Sequence, residues 1–255
     1  MTRPRCGKWT AGWTTSAGSG ASAWTRWAPN SPGAAANAAC ANQKTRRNLM
    51  KDITEQLEAI RREVARRDGG DLGDLAAVLV KRTYQADVED VWDAITSKER
   101  LPRWFAPVTG DFHEGGSFQV ENMASGDILQ CRPPQLLRMT YGGPTSIVEV
   151  RLTAAGTDVT DLEVEHTVPI AMAGSGAGAL YVGPGWDQGL LMLARHLGGE
   201  HIADPLADQN SVPGQEFSRG SIQAWADAVR TSGTATEDEI TASVTAAATH
   251  FAPDL

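Results

Sequence analysis

Cysteine is scarce in this chain: Cys6, Cys40 and Cys131 are the three among 255 residues. Only Cys131 falls in a region with regular patterning, so no disulfide can staple a core, and no CxxC pair offers metal-ligand spacing. Such usage fits a reducing cytoplasm, the expected location. No apolar run reaches the roughly 18 residues that a spanning helix needs. A GxSxG elbow, a Walker loop and a thiol–histidine nucleophile pair are also missing, which removes the usual signatures of hydrolases, nucleotide hydrolases and thiol enzymes. His113-Glu114 stands alone in a turn. His196 and His201 are separated by Gly198-Gly199 and share no helical face, so no metal site is expected.

Acidic residues are absent from positions 1–49, where seven basic ones occur: Arg3, Arg5, Lys8, Arg26, Lys44, Arg46 and Arg47. The remainder holds 16 basic against 31 acidic residues, a net of −15. An acidic body repels phosphate backbones, so no nucleic acid is expected as a partner. Residues 1–49 also lack Val, Ile and Phe, carry Leu only at Leu49, and are dominated by Gly, Ser, Thr, Ala and Pro around four tryptophans (Trp9, Trp13, Trp24, Trp27). No period of 2 or 3.6 appears, and no secretory apolar segment. Thr45-Arg46-Arg47-Asn48-Leu49-Met50-Lys51 superficially resembles a twin-arginine export signal. The apolar stretch that must follow is replaced by Asp52, Glu55 and Glu58. Residues 1–49 therefore read as a disordered extension, with Met50 the expected native start.

Patterning begins at Asp52. Ile53, Leu57, Ile60 and Val64 recur at intervals of 4, 3 and 4, Asp52 with Glu55 suggests a capping box, and Glu58/Arg62 and Glu63/Arg67 are i,i+4 pairs. The reading is an N-terminal amphipathic helix over 50–70, ended by Asp68-Gly69-Gly70. Its narrow apolar stripe predicts docking on a domain surface or on a second subunit, which keeps a homodimer among the expected partners.

From 71 to 200 the pattern changes. A strand-like run, Val78 to Tyr84, leads into the short helix Val88 to Ile95. Alternating segments follow at Ser117–Met123, Gly126–Cys131, Leu137–Tyr141 and Val148–Leu152. The cleanest is Asp161–Val168, with Leu162, Val164, His166 and Val168 on one face and Asp161, Glu163, Glu165 and Thr167 on the other. Short turns and no intervening helices predict an antiparallel sheet. A long helix, Trp186 to Leu197, is expected to start at Gly183-Pro184-Gly185 and stop at Gly198-Gly199. Over 201–255, Ile222, Trp225, Ala226 and Val229 predict one short helix. Ile240, Val244, Ala247 and Phe251 predict another, with Thr236/Glu239 as its capping box. Together they read as a helical appendage. The fold class is α+β: a curved antiparallel sheet wrapped around a long C-terminal helix, with extra helices at both ends.

Several of these features together resemble the SRPBCC, or START-like, superfamily. They are Val91-Trp92-Asp93-Ala94-Ile95-Thr96, Leu101-Pro102-Arg103-Trp104-Phe105, the strand Thr160 to His166, and Gly185-Trp186 opening the long helix. The nearest branch is that of activator of heat-shock-protein-90 ATPase homologues, and the likeness runs from residue 78 to about 198. The resemblance implies a helix-grip fold with a deep apolar cavity between sheet and helix. Superfamily members include lipid carriers, cyclases, hormone receptors and co-chaperone domains, so fold alone cannot select among functions.

In isolation Trp104, Phe105, Tyr141 and Trp186 would be core aromatics; the implied cavity makes them its lining, together with Phe118, Val120, Met139, Val150, Val164, His166 and Leu190. His166 faces inward, whereas Asp161, Glu163 and Glu165 point outward by the pleat. Without an inward carboxylate it reads as a hydrogen-bonded wall histidine that contacts a polar ligand group, and no catalytic residue is assigned. Arg82 lies inward between Val80 and Tyr84. Its counter-charge is a ligand carboxylate or a protein acid, unless the strand ends early and leaves it solvated. Gly174-Ser175-Gly176-Ala177-Gly178-Ala179 matches GxGxxA but lacks the parallel strand and immediate helix of a dinucleotide site. It reads as a flexible loop at the cavity mouth. The function expected is sequestration of a small hydrophobic or aromatic molecule, with no cofactor. The alternatives are a cyclase, dehydratase or hydrolase using His166 and Arg82, and a co-chaperone-like interaction domain.

Overall fold

The hairpin at Asp68–Asp74 sets the frame of the molecule. In the computed structural model, which describes Met50 and residues 52–255, the chain leaves a helix over 52–58 (α1) and at once forms β1 (Ile60–Asp68). β1 pairs antiparallel with β2 (Asp74–Tyr84), Ile60 opposite Arg82 and Val64 opposite Val78. The expected helix over 50–70 is thus correct only in its first half. Ile60 and Val64 are four apart, a spacing that serves one face of a strand as well as one face of a helix. What hid the strand is the residue between them: the inward position is Arg62, a charge where an apolar side chain would have declared the alternation. The i,i+4 pairs drawn for that helix therefore have no helix to sit on. The stripe of α1 docks on its own domain, Ile53 buried and Leu57 packed on the same core.

After β2 come α2 (Val88–Thr96), β3 (Val108–Gly110), β4 (Ser117–Val120), β5 (Ser125–Arg132), β6 (Leu136–Thr140), β7 (Ile147–Gly156) and β8 (Val159–Pro169). Asp87 caps α2 by accepting the Asp90 amide. The strands form one antiparallel curved sheet in the order β1-β2-β8-β7-β6-β5-β4-β3. Register stacks Val80, Val164 and Val150 across β2, β8 and β7, and next to them Val78, His166 and Val148. The opposite face is laced with charge. Arg67 meets Glu165 at 3.1 Å, Arg151 meets Glu163 at 3.2 Å, and Lys81 also pairs with Glu163. The outward placement of Glu163 and Glu165 follows from the same pleat that turns His166 inward.

A short α3 (Ile170–Ala173) and a 3-10 turn lead into α4 (Ala179–Leu197), which starts four residues before the expected Gly183. Pro184 therefore lies inside the helix instead of opening it. Burial of Ala179, Leu180 and Gly183 carries the helix through the proline. The Gly174–Ala179 stretch is no open loop at a cavity mouth: Gly176 and Ala177 are buried, and a Cβ at Gly176 would collide with Thr234.

α5 (Pro205–Gln209), α6 (Val212–Ser232) and α7 (Glu237–Phe251) complete the chain. The Thr236/Glu239 capping box is present on α7. α6 is a 21-residue helix with Phe217, Ile222 and Trp225 fully buried, and it packs on α4 and β1. These residues belong to the same core cluster as the sheet and α4. Gly183 makes the close approach of α4 and α6 possible, since a Cβ there would lie 2.4 Å from the Trp225 ring. Among the described residues no helix is long and apolar enough to cross a membrane. The expectations for residues 1–49, including Cys6 and Cys40, lie outside the described residues.

Candidate ligand site

The inward face of β8 meets α4 at His166, which is buried. The Trp186 indole N–H donates to His166 Nδ1 at 3.3 Å, and His166 Nε2 lies 2.9 Å from Ser146 Oγ. An indole can only donate, so Nδ1 is the bare nitrogen and the ring proton sits on Nε2, pointing at Ser146. Burial pushes the His166 pKa down to about 4, so the ring is neutral. The nitrogen that would have to take a proton from Ser146 already carries one. This geometry orients Trp186; it does not activate a serine nucleophile.

Around this pair runs an aromatic series. Trp186 lies 6.1 Å from Tyr141 between ring centroids, and Tyr141 is stacked on Phe118 at 6.3 Å. Tyr141 and Trp186 are only partly buried. Burial raises the Tyr141 pKa, so the phenol keeps its proton. Phe118 is also the wall of a cleft of about 520 Å³ between the ends of β3, β4, β5 and β6, shared with Thr109, Ser117, Thr140, Gly143 and Pro144. The strands come together there because Gly126 has no side chain: a Cβ would lie 1.9 Å from the Thr140 carbonyl oxygen.

The other expected lining residues are placed differently. Val120, Val150, Val164 and Leu190 are buried in the packed core, with Met139 partly buried against it. Trp104 is buried, its indole donating to the Ala94 carbonyl, and its ring neighbour is Phe105 at 5.6 Å. Phe118, Tyr141, His166 and Trp186 are thus brought together, while Trp104 and Phe105 form a separate pair. Around the aliphatic set, Val80, Val148, Leu180 and Leu193 fill the space between sheet and helix.

A second constellation was only half visible in the sequence. Arg62 Nε donates to Asp187 Oδ2 at 2.7 Å, and both side chains are buried. Ser221 and the Trp225 indole, both on α6, donate to the same oxygen. Burial pushes the Asp187 carboxyl up, against the pull of Arg62, Ser221 and Trp225. Arg82, on β2, lies inward as expected, and its Nη2 donates to Gln56 at 2.6 Å. Burial pushes its pKa down. The sequence signal for Asp187 is its phase: it stands three residues before Leu190 and four after Gly183, in the middle of the apolar face of α4. An acid in that phase is a signal that a base faces it from another element.

The family model described as "Activator of Hsp90 ATPase homolog 1-like protein" matches residues 85–198. The crystal structure of CalU16 from Micromonospora echinospora is 34% identical, covering 67% of this chain and 98% of that one, with a TM-score of 0.53. The chain belongs to this family. The solution structure of the same CalU16 is 33% identical over 68% of this chain and 97% of that one, with a TM-score of 0.58. DynU16, described as a putative protein in the dynemicin biosynthetic locus, is 26% identical over 49% of this chain and 48% of its own, with a TM-score of 0.43. No curated protein matches. In this member of the activator of Hsp90 ATPase homolog 1-like family, the aromatic series lies inside the matched segment. Arg62, Arg82, Ser221 and Trp225 lie outside it, so Asp187 ties the family segment to the flanking elements.

Proposed function

We propose that this protein binds a small aromatic molecule in the cleft beside Phe118, with Tyr141 and Trp186 continuing the contact surface. One observation carries the reading: a concavity of about 520 Å³ has Phe118 in its wall, and behind Phe118 the ring series continues through Tyr141 to Trp186. That volume lies within the roughly 300–1,000 Å³ typical of small-molecule sites. A flat ring can lie against Phe118 while Thr109 and Ser117 meet its polar edge. His166 serves the site by holding the Trp186 indole in one orientation, and the orphan proton acceptor that acid–base chemistry needs is lacking there. Sequestration, not turnover, is the function this supports.

The test uses N-phenyl-1-naphthylamine, a neutral aromatic probe, followed by its own emission. Saturable binding to the wild type is expected. Binding should weaken about tenfold in Phe118→Ala, and also in Gly143→Leu, where a side chain enters open space at the cleft wall. Equal binding to all three proteins would refute the site.

A further inference from the structure

We propose a second ligand site, for a small monocarboxylate, at the cleft where Arg82 emerges between α1, the end of β2 and the C-terminal end of α4. The inference stands apart from the aromatic cleft, since the two concavities share no lining residue. The cleft measures about 330 Å³ and is bounded by Gln56, Arg82, Thr83, Gln85, Arg195 and Gly198.

Unbalanced charge marks this cleft. Two guanidinium groups, Arg62 and Arg82, face this part of the interior, and Asp187 is the acid whose field reaches Arg82. Asp187 Oδ2 is already engaged by Arg62, Ser221 and Trp225, while its Oδ1 has no hydrogen-bond partner. Arg82 is 8% exposed, and its Nη1 has no hydrogen-bond partner. Its polar contact is one neutral amide, Gln56 Oε1, on the outer helix. The rest of its support is the Tyr84 ring, 5.7 Å from the guanidinium carbon. A buried cation left one charge short of balance is costly, and the cost is relieved by an anion seated beside the guanidinium in the cleft. Arg195 does not compete for that anion. It is held by Glu200 and Asp208, and its place in the last turn offsets the negative end of the α4 dipole. A single unbalanced guanidinium suits a monoanion better than a dianion.

Calorimetric titration with benzoate, benzamide and inorganic phosphate tests the assignment on the whole chain. Benzoate should bind saturably, and benzamide and phosphate about tenfold more weakly or not at all. Two substitutions separate the site from the fold. Arg82→Met keeps the stem and removes the unbalanced charge, so benzoate binding should vanish while the unliganded melting temperature holds or rises. Gln56→Glu, on the half-buried face of α1, places a carboxylate against Arg82 from within. It should raise the melting temperature and exclude benzoate even if Arg82→Met fails to fold. Benzamide or phosphate binding as tightly as benzoate overturns the assignment. So does benzoate affinity unchanged in Gln56→Glu, or no benzoate binding to the wild type. The neutral naphthylamine probe does not report on this site, so failure of either site leaves the other readable.

Discussion

His166 is neutral in the folded chain because its ring is buried and its Nδ1 is already occupied by an indole proton. Its pKa falls from an ordinary 6.5 to about 4, which makes folding pH-dependent. Above pH of about 6.5 neither state is protonated at this residue. Below that the unfolded chain takes up the proton first, so stability falls with pH until the folded ring is protonated near 4, a loss of at most about 3 kcal/mol. Urea unfolding across this window should show the slope in the wild type and a flatter one in His166→Gln. At Asp187 the expected effect is larger. Asp187→Asn leaves Arg62 buried without its counter-charge and should cost about 3–5 kcal/mol in denaturant titration. The sequence disclosed the inward face of His166 through its phase with Leu162 and Val164. It could not disclose Ser146, which meets His166 only because β7 and β8 pair in one particular register.

Among the elements, the contact of α4 with α6 is the most constrained. Gly183→Ala adds a methyl 2.4 Å from the fully buried Trp225 ring. The helix-propensity gain of about 1 kcal/mol is outweighed by overpacking of about 1–3 kcal/mol. The expected net loss is up to about 2 kcal/mol, measured by chemical unfolding, whereas a half-buried helical glycine such as Gly189, with no neighbour within 4 Å, should give a gain on the same change. Most strands were legible from alternation, and α7 from its capping box. β1 was not, because its inward face alternates Ile60, Arg62 and Val64 and the middle position is satisfied by an acid 125 residues away. The early start of α4 was hidden by Pro184, whose local preference was overridden by burial of Ala179 and Leu180.

On the scale of the whole molecule the sheet is unequal end to end. β1, β2 and β8 are nine to eleven residues long and pair with one another in unbroken register, and α6 and α4 back β1 and β2. β3 and β4 have three and four residues, and β5 slips register beside them. Local opening follows the number of buried contacts that must be broken. Backbone amides of β3 and β4 should therefore exchange with deuterium faster than those of β2 and β8, by orders of magnitude in native-state mass spectrometry. Uniform protection across the sheet would contradict this. Because the short strands are also the ones that frame Phe118, the margin that breathes is the margin that would admit a guest. The long strands would then be the hinge plate, still while the margin opens.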